Sequence, residues 1–417
     1  MQDDRSRMFD AVIVGAGPAG SSAAILLARA GWSVALVEKQ RFPRRKVCGE
    51  CVAASNLPLL EALGIGAGFE ALAGPHLQQM ALMCRGQTVT AALPAADHPR
   101  HTWGRALGRE ILDKLLLDQA RAAGAEVLQP WSVQALGGSV GDHRCEIRCV
   151  DSGEEGALQA PVLIAAHGSW EALASGRDDR RFARRPGDLF AFKANFSGAS
   201  LPHGLLPVLA FEGGYGGMVV GDRGLLTLAC CIRQDRLQAC RNAAPGLSAG
   251  DVVEALLQRQ CPGVADALAG AQRLGGWLAS GPIDPGIRLR DDDTLFRIGN
   301  AAGEAHPIIG EGMSMAIQSA WLLCAALLRP AAPDGARADA QWQAGVRKRY
   351  HAQWRRHFAP RLRLAALFAQ VAMRPAVCAP LLAGLSYWPA LLTQGARWAG
   401  KVRCAPDPDI FRPARPD

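Results

Sequence analysis

The stretch VIVGAGPAGSSAAILLARAGWSVALVEKQ, residues 12–40, decides the fold of this chain. It begins within the apolar run FDAVIV, which predicts a buried strand, and continues with an alanine- and leucine-rich segment at helical spacing over residues 21–30. A second apolar run, WSVALVE, follows a glycine and predicts another strand. The order strand, helix, strand predicts a βαβ unit.

The turn between the first strand and the helix contains three glycines at the spacing of a phosphate-binding loop. Gly15 permits the tight turn, Gly17 permits close approach of a diphosphate, and Gly20 permits close packing of the helix on the strand. The helix N-terminus favours the negative charge of the phosphates. Glu38, at the end of the second strand, is placed to accept hydrogen bonds from an adenosine ribose. The dinucleotide-binding residues predicted from this segment are Gly15, Gly17, Pro18, Ala19, Gly20, Glu38 and Lys39.

The composition is that of an ordinary globular protein. The chain has 417 residues, of which 49% are hydrophobic and 20% charged, and this length predicts two or more domains. The N-terminal segment MQDDRSRMFD is polar and predicts no signal peptide, so we expect a cytoplasmic protein. The 12 cysteines follow no regular spacing and are expected to be reduced. Cys48 and Cys51 form a lone CxxC pair, which does not predict a metal site.

A second glycine-rich segment, LFRIGNAAGEAHPIIGEGMSMAIQSAWLLCAALL, spans residues 295–328. Its pattern predicts a strand, a loop and a long helix. Gly299, Gly303, Gly310 and Gly312 permit close approach of a ligand to the backbone. The start of the helix favours negative charge on a bound ligand.

This segment resembles the GDAAGxxxPxxGxGxxxAxxDA-type motif of flavin-dependent monooxygenases, geranylgeranyl reductases and flavin halogenases. In that superfamily the loop carries the ribityl chain and passes the flavin ring, so the two glycine-rich motifs together predict FAD. The resemblance implies the para-hydroxybenzoate hydroxylase-type fold: a Rossmann-like α/β FAD-binding domain of the glutathione reductase type, an inserted antiparallel β-sheet substrate domain and a helical C-terminal region. The FAD contacts that it implies here are Asn300, Gly303, Pro307, Gly310, Gly312 and Met313.

Two shorter segments extend the resemblance. RFPRRKVCGE, residues 41–50, is similar to the FPRxKxCG segment of the geranylgeranyl reductase branch. The helical stretch GREILDKLL matches one whose arginine reaches the cofactor in such enzymes. The cofactor contacts implied by these segments and by the later AAHGSW are Arg45, Cys48, Gly49, Arg109 and Gly168.

The chain departs from the superfamily at two positions. Asn300 stands where Asp is usual, and its amide can still hydrogen-bond a ribityl hydroxyl. His167 stands where the Asp of an Asp-Gly dipeptide contacts both FAD and the reducing nicotinamide in many aromatic hydroxylases. The expected electron donor is therefore NAD(P)H, acting either directly or through a separate flavin reductase.

Because the cofactor carries the redox chemistry, the protein is expected to supply positioning and exclusion of water. No nucleophile elbow or zinc-binding helix motif is present, which disfavours a hydrolase. Pro307, in the loop expected over the flavin, would shape the face that reacts with oxygen, and His306 or Glu311 would polarise the substrate. Cys48 is a candidate proton donor. The alternatives are that His306 is a packed loop histidine and Cys48 a buried apolar residue.

These features favour a monooxygenase that hydroxylates an apolar aromatic or polyketide-derived substrate through a flavin C4a-hydroperoxide. Cys48 and the apolar C-terminal region favour the alternative, a reductase of isoprenoid double bonds. A flavin halogenase is a minor alternative, because GGYGGMVVGD stands in the region of its tryptophan-rich WxWxIP stretch. A non-catalytic FAD-bound membrane or assembly factor is the alternative from another class, in which His167 and Asn300 would mark a decayed site.

The motifs also predict the domain organisation. The discontinuous FAD-binding domain is predicted at 1–75, 101–175 and 276–340. The substrate domain is predicted at 76–100 and 176–275, where glycine pairs and alternating segments indicate a twisted antiparallel sheet.

Residues 341–417 form a basic and apolar helical region with 13 Lys and Arg against 3 Asp and Glu. Its uncharged stretch, residues 375–396, is interrupted by prolines, which disfavours a membrane span. The region is expected to be a lid over the active site, an amphipathic surface on an anionic membrane, or a helix pair packed on the FAD-binding domain. Nucleic-acid binding is disfavoured because the basic residues alternate with apolar ones.

Overall fold

The computed structural model describes residues 7–169, 185–328 and 335–400. Its strands in chain order are Arg7–Met8 (β1), Ala11–Val14 (β2), Val34–Val37 (β3), Cys51–Val52 (β4), Gln79–Cys84 (β5), Gln87–Ala92 (β6), Arg105–Ala106 (β7), Glu126–Leu128 (β8), Trp131–Ser139 (β9), Asp142–Cys149 (β10), Glu155–Ala160 (β11), Val162–Ala165 (β12), Leu189–Ser197 (β13), Leu205–Phe211 (β14), Gly214–Val220 (β15), Leu226–Arg233 (β16), Gln272–Arg273 (β17), Leu278–Ile283 (β18), Gly286–Ile287 (β19), Phe296–Arg297 (β20) and Gly303–Glu304 (β21).

The α-helices are Pro18–Arg29 (α1), Leu57–Ala62 (α2), Gly66–Leu72 (α3), Arg109–Ala122 (α4), Gln234–Ala243 (α5), Ala249–Gln260 (α6), Pro262–Leu268 (α7), Gly312–Leu328 (α8), Ala340–Ala372 (α9), Pro375–Tyr387 (α10) and Ala390–Trp398 (α11). The predicted βαβ unit is thus β2, α1 and β3. The predicted strand, loop and long helix of the second glycine-rich segment are β20, the connection after it and α8.

The first sheet has five parallel strands in the order β20, β12, β2, β3, β8. Its three central strands are buried along their whole length because both faces are covered. On one face, α1, α4 and α8 pack through buried residues such as Leu27, Leu116 and Trp321. On the other face, the four-stranded sheet β1, β11, β10, β9 contributes Ile147 and Leu158. This layered arrangement confirms the predicted α/β fold class.

The second large sheet has eight strands in the order β17, β13, β16, β15, β14, β5, β6, with β18 also paired to β13. Its pairs are antiparallel except β5 with β14, where the predicted antiparallel sheet is mixed. The parallel pair arises because these two strands are joined by a long connection rather than a hairpin. Strand β18 pairs with β13 in this sheet, although it follows the predicted domain boundary at 276. The predicted boundary at 175 lies outside the described residues.

Up to residue 400, the C-terminal region forms three helices that reach both large sheets. The first half of α9 packs against α8 through the buried side chains of Tyr350, Trp354 and Phe358. Its last turns and α10 cover the eight-stranded sheet with Ala369 and Leu382. The region is therefore more than a helix pair on the FAD-binding domain. Within the described residues, no single helix has the length and apolar content of a membrane span. Helices α9 and α10 have that length and apolar content only when taken together, and the chain bends by 103° between them.

Candidate functional site

A single cavity of about 960 Å³ connects the glycine-rich turn, the eight-stranded sheet and the C-terminal helices. Most of the residues predicted to bind the cofactor share its wall. They are Gly15, Gly17, Pro18, Ala19, Glu38, Lys39, Arg45, Cys48, Gly49, Arg109, Gly168, Asn300, Pro307, Gly310, Gly312 and Met313. Gly20, Gly303, His306 and Glu311 are not in this wall.

The turn after β2 shows why glycine is required at two positions. Gly15 has φ +102°, and a Cβ there would lie 2.6 Å from the carbonyl oxygen of Ala166. A Cβ on Gly20 would overlap the carbonyl oxygen of Gly15, so this glycine serves helix packing as predicted. A Cβ on Gly17 would have only Arg109 Nη2 within 4 Å, at 3.9 Å. Gly17 therefore presents open backbone to the cavity, as close approach of a diphosphate needs.

Glu38 is held at the carboxyl end of β3 by two backbone donors. Its Oε2 accepts from the Ala16 N–H at 3.0 Å, and its Oε1 accepts from the Gln40 N–H at 2.9 Å. The Arg44 guanidinium lies 3.5 Å from the same carboxylate. The side chain is buried, yet it lines the cavity. A rigid acceptor in this place fits an adenosine ribose.

A cluster of cations surrounds the turn. Arg109, the first residue of α4, makes a bidentate ion pair with Asp113 at 2.7 Å for both bonds. Burial lowers the pKa of Arg109, but the Asp113 carboxylate outweighs burial, so the net direction is upward. Burial beside Arg44 and Arg109 lowers the pKa of Lys46 to about 8. Because this lowering comes first from burial and then from the two neighbouring guanidinium groups, a bound diphosphate would stabilise the Lys46 ammonium.

Lys46 was not among the predicted site residues, although its neighbour Arg45 was. The structure turns the Arg45 side chain toward the eight-stranded sheet, where Nη2 donates to Asn195 Oδ1 at 3.2 Å. The Lys46 ammonium lies instead beside the strand-end loop, 3.9 Å from where a Cβ on Gly168 would be. All three consecutive basic residues, Arg44 to Lys46, line the cavity, and the sequence gives no signal that Lys46 is the one beside Gly168.

The second glycine-rich segment contributes the facing wall. Helix α8 begins at Gly312, where an added Cβ would have no heavy atom within 4 Å. Gly310, with φ +62°, turns the chain into that helix. A Cβ on Gly303, by contrast, would lie 2.5 Å from the Trp354 ring of α9. Packing of the C-terminal helix therefore accounts for glycine at position 303, while the role of Gly303 in cofactor approach stays a prediction.

Asn300 belongs to a polar network around a buried carboxylate. Its Nδ2 donates to Ser169 Oγ at 2.9 Å and to Glu304 Oε1 at 3.2 Å. Ser169 also donates to Glu304 Oε1 at 2.8 Å, and Arg288 lies 2.9 Å from Glu304 Oε2. An Asp at position 300 would place a second carboxylate against Glu304, whereas Asn supplies a donor.

Cys48 and Glu50 mark the passage from the turn to the eight-stranded sheet. The Glu50 N–H donates to Cys48 Sγ at 3.3 Å, and the thiol lines the cavity. The Glu50 carboxylate is buried, where it pairs with Lys193 Nζ and accepts from Thr227 Oγ1 at 2.6 Å. Its Oε1 also accepts from the Arg109 N–H at 2.9 Å. Glu50 therefore ties α4 of the first domain to β13 and β16 of the second, a role that sequence reasoning missed.

The two predicted polar catalytic residues lie behind the cavity wall. His306 Nδ1 is 3.0 Å from the hydroxyl of Tyr215, which is buried on β15 and lines the cavity. Burial lowers the pKa of His306 and raises that of Tyr215 well above its ordinary value. Glu311 is fully buried, with Oε2 at 3.8 Å from Arg361 of α9. Its predicted contact with substrate is not what the geometry shows, because its carboxylate faces the helix interface.

Comparison with known proteins agrees with this geometry. Residues 8–178 match the family described as "FAD binding domain". The "Menaquinone reductase" of Mycobacterium tuberculosis is 31% identical over 39% of this chain and 38% of its own length. "Digeranylgeranylglycerophospholipid reductase 2" of Methanopyrus kandleri is 27% identical over 84% of this chain and 83% of its own. The chain therefore spans less than two thirds of the length of the menaquinone reductase, and 64% of the length of another curated relative that it matches.

Among solved structures, the FAD-dependent chondrochloren halogenase CndH of a myxobacterium superposes with a TM-score of 0.72. Its sequence is 19% identical, and the match covers 93% of this chain and 92% of that one. The likeness shows a shared fold over nearly the whole chain. Residues 8–178 are therefore an FAD-binding domain, and the flavoprotein superfamily and fold predicted from the two glycine-rich motifs are confirmed. Two of these relatives are named as reductases and the third as an FAD-dependent halogenase.

Proposed function

We propose that this protein is an FAD-dependent monooxygenase that hydroxylates an apolar aromatic substrate. The observation that carries the proposal is the pairing, at 3.0 Å, of the Tyr215 hydroxyl in the cavity wall with His306 behind that wall. FAD, when bound, supplies electron transfer and oxygen activation. The chain's own residues bind the cofactor, hold the substrate and move a proton.

The substrate end of the cavity is formed by side chains without charge. It lies between the eight-stranded sheet and the C-terminal helices, and its wall includes Met80, Leu82, Leu206, Val208, Phe368 and Leu392. A charged substrate would lose its hydration there without gaining a partner. The uncharged lining therefore fits an aromatic or other unsaturated apolar substrate.

A hydroxyl on the aromatic ring activates it most strongly when the hydroxyl loses its proton. Because burial lowers the pKa of His306, its imidazole is neutral at pH 7 and can accept a proton. Tyr215, whose pKa is raised, remains protonated throughout. Its hydroxyl would donate a proton to His306 Nδ1 while it accepts a proton from the substrate hydroxyl. The pair therefore supports a relay that carries a proton out of the cavity.

In the proposed reaction one atom of dioxygen enters the ring and the other leaves as water. Two electrons come from NAD(P)H, either directly or through a separate flavin reductase. His167, which replaces the usual Asp, lies in the cavity wall beside Gly168. Electrons would therefore reach the flavin either directly from NAD(P)H or from a separate flavin reductase. Rapid reduction of the flavin by NAD(P)H alone would indicate the direct route, and slow reduction would indicate the separate reductase.

The test compares Tyr215→Phe with Tyr350→Phe. Each variant removes one buried hydroxyl, but that of Tyr350 donates to the Arg297 carbonyl oxygen in the helix packing. With an alkylphenol, reduced protein and labelled dioxygen, the wild type is expected to incorporate label. Tyr215→Phe should lower the rate by about a hundredfold or more, and Tyr350→Phe should leave it unchanged. Equal rates in the two variants, or no label in the product, would contradict the proposal.

Reduction of an isoprenoid double bond is the second candidate, and Cys48 favours it. Its thiol lines the same cavity, close to the predicted cofactor segment, and could give the proton that accompanies a hydride. The two reductases named above support this reading by sequence similarity. Anaerobic reoxidation of the reduced flavin by a polyprenyl lipid, lost in Cys48→Ser, would replace the monooxygenase with the reductase.

A further inference from the structure

The outer side of α10 and α11 exposes a group of large apolar side chains. Their exposed fractions lie between 45% and 79%. We call this group the apolar patch; it consists of Val377, Leu381, Tyr387, Trp388, Leu391 and Trp398. Soluble chains seldom leave so many large apolar and aromatic side chains exposed together, and such patches mark binding surfaces.

The C-terminal helices that carry the apolar patch contain charge of one sign. Residues 340–400 contain nine Lys and Arg but no Asp or Glu. Arg374 stands directly before α10, and Arg397 lies in the last turn of α11. Both side chains are exposed, so they flank the apolar patch with positive charge. A surface of this kind is complementary to a partner that is apolar beneath an anionic face.

The apolar patch is continuous with the cavity. Leu381 and Leu391 line the cavity wall, and each is more than half exposed. Leu367 of α9, also more than half exposed, completes the same part of the wall. The substrate end of the cavity therefore reaches the surface among the residues of the apolar patch.

We propose that the apolar patch binds the surface of an anionic lipid bilayer and that the cavity takes up its substrate from there. Tyr387, Trp388 and Trp398 are the residue types that settle at the boundary between headgroups and acyl chains. Arg374 and Arg397 would contact anionic headgroups. Membrane binding of this kind does not depend on which reaction the flavin carries out, so it can be tested without an activity assay.

The test measures partition of the full chain, loaded with FAD, onto vesicles. The wild type is expected to float with vesicles of phosphatidylglycerol and phosphatidylcholine in equal parts, and to remain unbound with phosphatidylcholine alone or at high salt. Changing Tyr387, Trp388 and Trp398 together to Ser should lower the partition coefficient by about tenfold or more. The double variant Arg374→Glu, Arg397→Glu should remove the preference for the anionic vesicles.

The matched control is Val150→Ser with Leu247→Ser, two exposed apolar residues outside the C-terminal helices, which should bind vesicles as the wild type does. FAD content and thermal unfolding show whether each variant is folded; if the triple variant is not, Trp388→Ser alone replaces it. Failure of the wild type to float, or equal flotation of the wild type and a folded patch variant, would overturn the proposal. Self-association without flotation, abolished by the same variants, would also overturn it and assign the apolar patch to a second copy of the chain.

Discussion

The strongest quantitative prediction concerns Lys46 and the pH dependence of FAD binding. Without cofactor, burial beside Arg44 and Arg109 lowers the pKa of Lys46 to about 8, from an ordinary value of 10.5. A bound diphosphate would stabilise the ammonium and raise this pKa again. Below pH 8 the ligand-free protein already holds the proton. Above pH 8 binding must take up a proton, so affinity for FAD falls as the pH rises.

The size of the effect follows from linkage. If FAD restores the ordinary pKa of Lys46, the dissociation constant rises about tenfold between pH 7 and pH 9, which corresponds to about 1.4 kcal/mol. Below pH 7 Lys46 remains protonated in both states, so it contributes almost no pH dependence there.

The assay is titration of the apoprotein with FAD, followed by flavin fluorescence, at a series of pH values. Lys46→Met should bind FAD more weakly at pH 7 and lose most of the dependence between pH 7 and pH 9. The control Lys348→Met removes an exposed lysine on α9 and should behave as the wild type does. A wild-type dissociation constant that is the same at pH 7 and pH 9, or an unchanged pH dependence in Lys46→Met, would refute the reasoning.

Two further predictions concern stability. Gly303→Ala places a methyl group 2.5 Å from the Trp354 ring and should destabilise the protein by about 1–3 kcal/mol. The control Gly276→Ala, where an added Cβ has no heavy atom within 4 Å, should leave stability unchanged. Thermal unfolding of the two variants distinguishes these outcomes. Asn300→Asp sets a second carboxylate beside Glu304, which raises the pKa of the pair. Denaturant unfolding should therefore show a loss of stability at pH 7 that diminishes as the pH falls; a loss independent of pH would contradict this account.

Several features of the site could be predicted from the sequence because they depend on local spacing. The turn at Gly15 to Gly20 is encoded within six residues, and both the backbone conformation of Gly15 and the contact of Gly20 with it are local. Glu38 is likewise placed by the length of α1 and β3, since a strand, a helix and a strand of ordinary length bring the acid to the turn. The apolar runs identified the buried strands because a parallel sheet covered on both faces has no polar side.

The tertiary structure alone decided which residues meet across the domains. Tyr215 and His306 are 91 residues apart, and Glu50 and Lys193 are 143 apart, so no periodicity relates them. Gly303 shares a motif with glycines that line the cavity, yet Trp354 of a later helix determines why it is glycine. Sequence patterns determine backbone turns and apolar faces, which arise from interactions between near neighbours. Charge balance, proton relays and packing between domains arise from side chains that only the complete fold brings together.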